Sequence, residues 1–359
     1  MTERTPFFDG HNDFLLRLMF TAARREEVWL GRTGNGHLDL ARMKQAGFAG
    51  GLFAIFVPPI SGGPPPDFAT LMSSPPYDLP TPPQMNHGEA QPMAMTMAGL
   101  LHWMERVAPN DFKVCRTASD VRNAMSDDII AGVMHMEGAE AIGPDLDALY
   151  LFYEMGLRSL GPVWSRPTIF GEGVPMKFPG SPDIGNGLTE KGKDLIRLCN
   201  ELGMVIDLSH LNDAGFNDVA KISTSPLVAT HSNAYALCET PRNLTDRQLA
   251  QIRETGGMVG FNYATFYINE NGTAANDMGW EPLFRQMDYL IEHLGENHVG
   301  LGSDFDGCIV PKLIGDVTGV PSFLSALGKH GYDQSLLAKL ARDNWINCLE
   351  RTLRTETVT

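Results

Sequence analysis

The chain has 359 residues, 43% of them hydrophobic, which is enough for a large buried core, and its formal net charge is -15. This charge, with no basic patch interleaved with aromatic residues, argues against nucleic acid as a partner, because a phosphate backbone would be repelled. No apolar run approaches the roughly 20 residues that span a bilayer, no secretory signal is recognisable and the five cysteines lack CxxC spacing, so we expect a cytoplasmic protein with reduced thiols and no membrane contact.

The first predicted strand spans 7–15 and carries His11 and Asp13. Side chains two residues apart point to the same side of a strand, so an imidazole nitrogen and a carboxylate can reach one cation. An H-x-D pair alone is equally typical of a turn aspartate beside a capping histidine. The pair therefore needs support from elsewhere in the chain.

A proline-rich segment follows a predicted helix over 38–48 and a second predicted strand over 50–59. Residues 58–92 hold eleven of the 24 prolines. A loop this long inside a compact domain is typically a lid, an interface or a mobile excursion. We predict an insertion loop over 58–95 near the mouth of the fold, with His87 as an ordinary polar loop residue.

The third predicted strand, over 128–138, follows predicted helices over 94–108 and 117–126 and contains His135 and Glu137 near its end. A carboxylate that finishes so apolar a run is strongly desolvated unless it is paired or bound to a cation. Glu137 is therefore a candidate metal ligand. His135 shares its face of the strand, and packing is its expected role.

A Gly/Pro-rich loop over 165–187 follows a predicted helix over 145–156 and a fourth predicted strand over 157–164. Residues 187–194 then resemble a phosphate-binding P-loop. Asp194 stands where that motif needs Ser or Thr for magnesium, and no strand runs directly into the segment. We interpret it as the start of a helix and expect no nucleotide there.

Two apolar runs, over 204–210 and 226–233, end at or near His210 and His231 and flank a predicted helix over 213–222. A helical pattern between two apolar strands is typical of a βαβ unit in a parallel sheet. The C-terminal ends of parallel strands face the ligand site, so both imidazoles should face one mouth. A lone histidine at a strand end is usually a packed core residue, but two on successive strands predict a metal site.

The remaining elements complete the pattern of a barrel. Eight strands with mostly helical intervals indicate a (β/α)8 TIM barrel, an α/β fold, as a single domain over 1–359 with the proline-rich insertion after strand two. The other predicted elements are helices over 245–255, 280–294 and 334–354 and strands over 256–263 and 298–307.

The candidate ligands are imidazoles and carboxylates, a mixture that suits zinc, with manganese or cobalt as possible replacements. Two cations roughly 3.5 to 4 Å apart can hold a hydroxide between them and polarise a carbonyl, which is hydrolytic chemistry without a protein nucleophile. Glu137 can bridge such a pair with its two oxygens. We therefore predict two zinc ions, with His11, Asp13, Glu137, His210 and His231 as ligands.

Asp304, in the sequence GSDFDG, is the candidate general acid and base. It would take a proton from the nucleophile and pass it to the leaving amine. A turn aspartate or a helix cap is the alternative interpretation. Asp306 is the other candidate for this role, but we predict that it is a loop residue or a group behind the ligands.

Seven short motifs in a fixed order carry a resemblance to a known family: DGHND at 9–13, MEG at 136–138, YEMGLRSL at 153–160, DLSH at 207–210, THSNAY at 230–235, the RN of PRNLTD, and GSDFDG at 302–307. With these motifs the sequence resembles the membrane dipeptidase (renal dipeptidase) family, a binuclear zinc branch of the amidohydrolase-like barrels. The resemblance covers nearly the whole chain. It implies one zinc ion on His11, Asp13 and Glu137 and a second on Glu137, His210 and His231.

The resemblance also implies roles around the substrate. It places Asp304 near the scissile amide and Arg242 on the terminal carboxylate of a dipeptide. Arginine pairs with carboxylates in bidentate fashion and stays charged, which fits that role. Without the family, Arg242 would be interpreted as a solvated loop arginine. Family members are often dimers, so a homodimer is a further expectation.

One position departs from the family. Its mammalian members place a substrate-contacting histidine at the end of strand four, where this chain has Trp164. An indole cannot accept a proton, but its N–H can donate, so Trp164 is expected to wall the pocket or to hydrogen-bond the substrate. Arg166 nearby is a candidate replacement cation or a plain loop arginine.

Three functions follow as hypotheses. The first is a zinc-dependent dipeptidase. The second keeps the barrel and the metals but changes the substrate to an N-acyl amino acid or a β-lactam, because Trp164 reshapes the pocket. The third is a barrel without metal that binds peptides and does not turn them over.

Overall fold

The architecture is a (β/α)8 TIM barrel, as predicted, in a computed structural model that describes residues 5–59 and 67–355. Eight parallel strands form a continuous sheet in which each strand pairs with its sequence neighbours and β8 pairs with β1. A bridge between Asp207 and Val228 closes the barrel between β5 and β6. The strands are β1 (Phe7–Asn12), β2 (Phe48–Phe56), β3 (Ile130–Glu137), β4 (Leu157–Gly161), β5 (Val205–Ile206), β6 (Val228–Ala229), β7 (Met258–Phe261) and β8 (Val299–Leu301).

The strands are apolar because both of their faces are covered, by the barrel interior on one side and by helices on the other. Every residue of β3 is buried, for example, and so is every residue of β1. A short strand, Phe112–Val114, pairs with the start of β3 outside the ring. The α-helices are Phe14–Phe20, Arg25–Trp29, Leu40–Ala46, Phe68–Leu71, His87–Val107, Ala118–Ser126, Asp147–Met155, Glu190–Leu202, Asp213–Ile222, Asp246–Glu254, Thr265–Ile268, Glu281–Leu294, Val320–His330, Gln334–Ala338 and Asn344–Thr352.

Two predicted strands end earlier in the structure than in the sequence pattern. β1 stops at Asn12, and Asp13 occupies the N-cap position of helix Phe14–Phe20, so the prediction of a strand over 7–15 is too long. β8 stops at Leu301, because Asp304 and Asp306 have left-handed φ values of 58° and 65° that extended strands do not use. Both turns follow a strand at its C-terminal end, where the chain leaves the sheet.

The predicted insertion loop over 58–95 is wrong at its C-terminal end. Helix His87–Val107 begins seven residues before its predicted start, with the Asn86 side chain accepting a hydrogen bond from the Gly88 N–H as the N-cap. His87 is therefore a helical residue and not a loop residue. Residues 60–66 of the insertion lie outside the described ranges.

The described part of the insertion packs on two other loops at the mouth. Residues Tyr77–Asp78 pair with Lys177–Phe178 in an antiparallel ribbon, which joins the insertion to the loop after β4. The Tyr77 hydroxyl donates a hydrogen bond of 2.9 Å to the Gly272 carbonyl, in the loop after β7. The insertion thus forms part of the wall at the C-terminal end of the barrel.

The opposite end of the barrel is filled by Trp345. The predicted helix over 334–354 is interrupted by a π-helical turn, Lys339–Asp343, and helix Asn344–Thr352 follows it. The indole N–H of Trp345 donates to the Leu301 carbonyl at 2.8 Å. A Cβ atom at Gly10 or Gly300 would lie less than 3 Å from the indole, so both strands need glycine to admit it.

None of the helices in the described ranges combines the length and the apolar character needed to cross a membrane. All five cysteines are free thiols, as predicted.

Candidate metal centre

Four of the five predicted ligands converge on one point at the C-terminal ends of the strands. His11 lies in β1, Glu137 ends β3, and His210 and His231 follow β5 and β6 by a few residues. All four side chains are at least 94% buried. The other three residues lie 126 to 220 positions after His11 in the chain. They still meet His11 in one place, because all four lie at the same edge of the sheet.

Glu137 lies at the centre of the cluster. Its Oε1 is 2.8 Å from Nε2 of His210 and 3.5 Å from Nε2 of His231, and its Oε2 is 3.6 Å from Nε2 of His11. Ligands about 2.0 to 2.1 Å from a tetrahedral zinc ion are roughly 3.4 Å from one another. The spacing of these donor atoms therefore fits a shared cation.

Asp13 and Asp304 extend the cluster on the β1 and β8 side. Oδ2 of Asp13 is 3.5 Å from Nε2 of His11. Ligand atoms of His11, Asp13 and Asp304 all lie within 4.8 Å of one another, and so do those of His11, Glu137 and His231. These two triads have His11 in common, whereas the family resemblance implies that Glu137 is the ligand common to both ions. The division of the ligands between two ions stays a prediction.

The charges of the cluster favour a bound cation. Burial raises the pKa of Glu137 well above its usual range, against the effect of His11, and the neighbouring Asp13 and Asp304 raise it further. Burial likewise raises the pKa of Asp304 to about 6. Within the described ranges no lysine or arginine lies within 4 Å of these three carboxylates. Against the effect of burial, Glu137 and Asp13 raise the pKa of His11 to about 10, so a protonated His11 balances part of this charge without metal, and a bound metal ion would take over that role.

The imidazoles present their Nε2 atoms to the cluster. Burial lowers the pKa of His210 and of His231 well below the usual range, which favours the neutral form that binds metals. Nδ1 of His210 lies 3.1 Å from the Ser165 hydroxyl, and Nδ1 of His231 lies 2.8 Å from the Thr230 hydroxyl. Both nitrogens of His11 are buried and have no hydrogen-bond partner in the described structure, which also fits a metal ligand.

Asp304 lies beside the cluster in a fixed orientation. Its Oδ2 accepts a hydrogen bond of 3.0 Å from the Asn262 side-chain amide, at the end of β7. Its backbone N–H donates to the His11 carbonyl at 3.0 Å. The left-handed φ of Asp304 is thus held by contacts to both neighbouring strands, and the alternative of a simple turn or capping residue does not explain its place among the ligands.

Arg242 is buried beneath the mouth, 2% exposed, and is not the solvated loop arginine that the sequence alone suggested. Its guanidinium donates to the carbonyls of Ser209 and, at 3.1 Å, His231. It lies over the Tyr267 ring, 5.2 Å from the centroid. In the described part of the chain no carboxylate lies within salt-bridge distance of it, and its Nε–H has no partner. A buried cation of this kind is suited to an anionic ligand.

Trp164 and Arg166 have different roles although they are close in sequence. Trp164 is half-buried, packs edge-on against Phe56 with 4.9 Å between ring centroids, and lies 6.1 Å from the His210 ring. Arg166 is fully buried and forms a 2.8 Å ion pair with Glu140. Arg166 is thus a loop arginine, but a buried one, and its charge is already paired with Glu140, which argues against a replacement cation.

Two weaker candidates lie behind the ligands. His135 packs edge-on against His11, with ring centroids 5.3 Å apart, which agrees with its predicted packing role. Asp306 points away from the cluster and pairs with Arg17 at 2.8 Å, as well as accepting a 2.7 Å hydrogen bond from the His37 N–H. Asp306 is thus a residue behind the ligands and not the rival of Asp304.

Sequence reasoning missed the groups that hold the ligands. Asp9 accepts hydrogen bonds from the Ser303 N–H at 2.7 Å and the Ser303 hydroxyl at 2.8 Å, which ties β1 to the turn after β8. Similar contacts join other strands: Thr230 donates hydrogen bonds to Asp207 from its N–H and its hydroxyl, and the Asn262 side-chain amide donates to Asp304. The available signal was a polar residue within a few positions of a ligand in an otherwise apolar strand.

Comparison with known proteins decides the family. A model of the family described as membrane dipeptidase (peptidase family M19) matches residues 1–358. The chain belongs to the membrane dipeptidase family. The predicted resemblance is thereby confirmed.

Two solved metallo peptidases and one curated protein are similar to most of this chain. A metallo peptidase from Rhodobacter sphaeroides, crystallised with a phosphinate mimic of the dipeptide L-Ala-D-Ala, is 58% identical, with a TM-score of 0.96 over 98% of this chain and 100% of its own. A metallo peptidase of family M19 called dipeptidase AC is 59% identical, with a TM-score of 0.95 over 98% and 99% of the two chains. An uncharacterised protein of Acinetobacter calcoaceticus, from the 3′ region of PQQ-III, is 40% identical over 80% of this chain and 90% of its own.

Proposed function

We propose that this protein is a zinc-dependent dipeptidase. The observation that carries the proposal is the buried cluster of imidazoles and carboxylates around Glu137, with the unpaired cation of Arg242 nearby. The family and the relatives support it: a protein 58% identical to this one was crystallised with a phosphinate mimic of a dipeptide. A hydrolase of small peptides with a free terminal carboxylate uses both features.

The proposed cofactor is a pair of zinc ions. Such ions, when bound, polarise the scissile carbonyl and lower the pKa of the attacking water. Glu137 is the proposed bridge, because its two oxygens face different imidazoles at 2.8 to 3.6 Å. The other proposed ligands are His11, Asp13, His210 and His231.

Arg242 is the proposed anchor for the terminal carboxylate of the substrate. Its guanidinium is oriented by the carbonyls of Ser209 and His231 and by the face of Tyr267. Because His231 is also a proposed ligand, this anchor stands at a fixed distance from the metal centre. That distance would select substrates in which one amide lies next to a terminal carboxylate.

Asp304 is the proposed proton carrier. Asn262 donates an N–H to Oδ2, and an amide N–H can only donate, so the proton that Asp304 takes from the attacking water is directed to Oδ1. A carboxyl group with a pKa of about 6 can both accept that proton and release it to the leaving amine near neutral pH. Trp164 is proposed to wall the pocket on the side of β4.

An N-acyl amino acid or a β-lactam is the second candidate substrate class. Its support is Arg242, because these amides also carry a carboxylate next to the scissile bond, and Trp164, because it replaces a histidine that the family uses on substrates. The two classes differ in the free α-amine, which only a dipeptide has.

The test is a library of dipeptides, in L,L and L,D forms, with matched N-acyl amino acids, assayed for amino-acid release by zinc-loaded and chelator-treated protein. We expect turnover of dipeptides that is lost with the chelator and restored by zinc. Faster turnover of N-acyl compounds would favour the second class. Binding without turnover in the zinc-loaded protein would overturn the proposal and support a non-catalytic peptide-binding barrel.

Two further expectations concern the setting of the enzyme. We propose a cytoplasmic location, which the five free thiols support, and a homodimer. A mass equal to one chain by light scattering would contradict the dimer.

A further inference from the structure

We propose that Thr230, backed by Asp207, is a positioning residue that fixes the tautomer of His231 and thereby strengthens the metal centre. This inference rests on the metal centre of the proposed function and not on the identity of the substrate. Thr230 lies next to His231 in sequence, and Asp207 lies 23 positions earlier, just beyond β5.

Hydrogen counting fixes the direction of each bond. The Thr230 hydroxyl oxygen lies 2.8 Å from Oδ2 of Asp207 and 2.8 Å from Nδ1 of His231. A hydroxyl has one hydrogen, and a carboxylate can only accept. The Thr230 hydrogen therefore goes to Asp207, and Nδ1 of His231 must donate to Thr230. The proton of the neutral imidazole is then on Nδ1, which leaves the lone pair of Nε2 facing Glu137.

Asp207 is held in a single orientation. Its Oδ1 accepts hydrogen bonds from the Ser209 hydroxyl at 2.6 Å, the Ser209 N–H at 3.1 Å and the Thr230 N–H at 2.9 Å. Three donors on Oδ1 leave Oδ2 as the acceptor for the Thr230 hydroxyl. Because Asp207 also bridges to Val228 through its backbone, the carboxylate is fixed at the seam between β5 and β6.

Thr230 is equally constrained. Three glycines, Gly10, Gly260 and Gly302, surround its carbonyl oxygen, and a Cβ atom at any of them would lie less than 3 Å from that oxygen. The backbone at Thr230 is thus packed against the strands β1, β7 and β8. With its backbone held in this way, the Thr230 side chain places its hydroxyl between Asp207 and His231, 2.8 Å from each.

The other imidazoles lack such support. Nδ1 of His210 meets the Ser165 hydroxyl at 3.1 Å, and no carboxylate accepts from Ser165 in the described structure. Nδ1 of His11 has no hydrogen-bond partner there. Among the described ligands, His231 alone is oriented by a hydroxyl that a carboxylate polarises. Support of this kind typically changes metal affinity by about 10- to 100-fold.

The experiment measures zinc affinity of the full-length protein by competition with a chromophoric chelator, and the ¹⁵N shifts of the His231 ring in the zinc-loaded protein. Thr230→Val removes the hydroxyl but keeps the shape, and we expect a loss of about 10- to 100-fold in the affinity of at least one zinc ion. Thr230→Ser keeps the hydroxyl and should retain affinity close to that of the unchanged protein.

Asp207→Asn is the sharper variant. The Asn oxygen would take the place of Oδ1, where three donors point, so its NH₂ would face Thr230 and donate to it. The Thr230 hydrogen would then turn toward Nδ1 of His231 and favour the proton on Nε2. We expect zinc affinity to fall at least as far as in Thr230→Val.

Thr352→Val is the matched control, because its buried hydroxyl donates only to the Cys348 carbonyl within one helix, in the last helix of the described chain. It should bind zinc like the unchanged protein. Thermal unfolding of every variant with excess zinc checks that the barrel folds. Unchanged zinc affinity in folded Thr230→Val and Asp207→Asn would overturn the inference. If the unchanged protein binds zinc but cleaves no dipeptide, the proposed function fails while this inference can still be tested.

Discussion

Two buried glutamates three residues apart show different ways to hold a charge inside the same barrel. Glu140 forms a 2.8 Å ion pair with Arg166, whereas the basic groups within 4 Å of Glu137 in the described ranges are the imidazoles of His11, His210 and His231. Burial raises the pKa of both carboxyl groups, and Arg166 counteracts the rise only at Glu140. An arginine completes the first site, whereas the second gathers donor groups that the proposed metal ions would use as ligands.

The difference separates a structural pair from a functional one. A buried ion pair with both partners present favours a particular arrangement of loops, here the loop after β3 that carries Glu140 and the loop after β4 that carries Arg166. A cluster with an excess of acids is unfavourable until a cation binds. Different treatments should therefore disrupt the two sites: loss of Arg166 the site of Glu140, and loss of metal the site of Glu137.

Glu137→Gln should have the largest effect. An amide lacks the charge of the carboxylate and cannot bridge two cations as strongly, so zinc binding and catalysis should both fail. A loss of several kcal/mol in transition-state stabilisation corresponds to a decrease of about 10³-fold or more in kcat/KM. Elemental analysis and dipeptide kinetics measure it, with Glu105→Gln, at a half-buried position on helix His87–Val107, as the control. Normal zinc content in Glu137→Gln would contradict the central role of this carboxylate.

Arg166→Met should come next, with an effect on folding. It leaves Glu140 buried and unpaired, which typically costs about 3 to 5 kcal/mol in the free energy of unfolding. Denaturant unfolding of the zinc-loaded protein measures the cost. The double variant Glu140→Gln with Arg166→Met should recover much of that stability, because no charge is left unpaired. A loss of zinc equal to that in Glu137→Gln would show that the two glutamates are not separate sites.

Arg242→Met should weaken the use of substrates that carry a free terminal carboxylate. Charged hydrogen bonds are worth about 1.5 to 3 kcal/mol, so kcat/KM for a dipeptide should fall about 10- to 100-fold. The matched substrate is the same dipeptide with a C-terminal amide, for which the variant and the unchanged protein should differ little. Equal losses on both substrates would argue that Arg242 supports the strand ends and does not bind the carboxylate.

Trp164→Phe should have the smallest effect. Phenylalanine keeps the aromatic contact to Phe56 and removes only the indole N–H, so a role as a wall predicts a decrease in kcat/KM of less than about tenfold. A role in hydrogen bonding predicts unequal decreases in kcat/KM for dipeptides and for N-acyl amino acids. The ratio of kcat/KM for the two substrate classes distinguishes these roles.

The sequence predicts the strands of this barrel well, and also the polar side chains that meet at the strand ends, because both leave local signals. A fully buried strand is a short apolar run, and a polar ligand at its end stands out, as His210 and His231 do. Where local signals conflict, the prediction fails: the apolar residues after Asp13 belong to helix Phe14–Phe20 and not to β1. The many prolines likewise hid the start of helix His87–Val107, which contains Pro92.

The supporting contacts could not be predicted because their partners are distant in sequence. Arg17 meets Asp306 across 289 positions, and Ser303 meets Asp9 across 294. Arg166 and Glu140 are only 26 positions apart, but nothing in either local sequence indicates that both side chains turn inward. Such pairs depend on how the loops above the sheet pack, which the alternation of strands and helices does not determine.

The seating of Trp345 between Gly10 and Gly300 has a consequence for biosynthesis. This indole seals the bottom of the barrel, where the β1 and β8 backbones come together, yet it is translated more than three hundred residues after Gly10. A nascent chain that ends before helix Asn344–Thr352 lacks this indole, so the bottom of the barrel can take the packing described above only after Trp345 has left the ribosome.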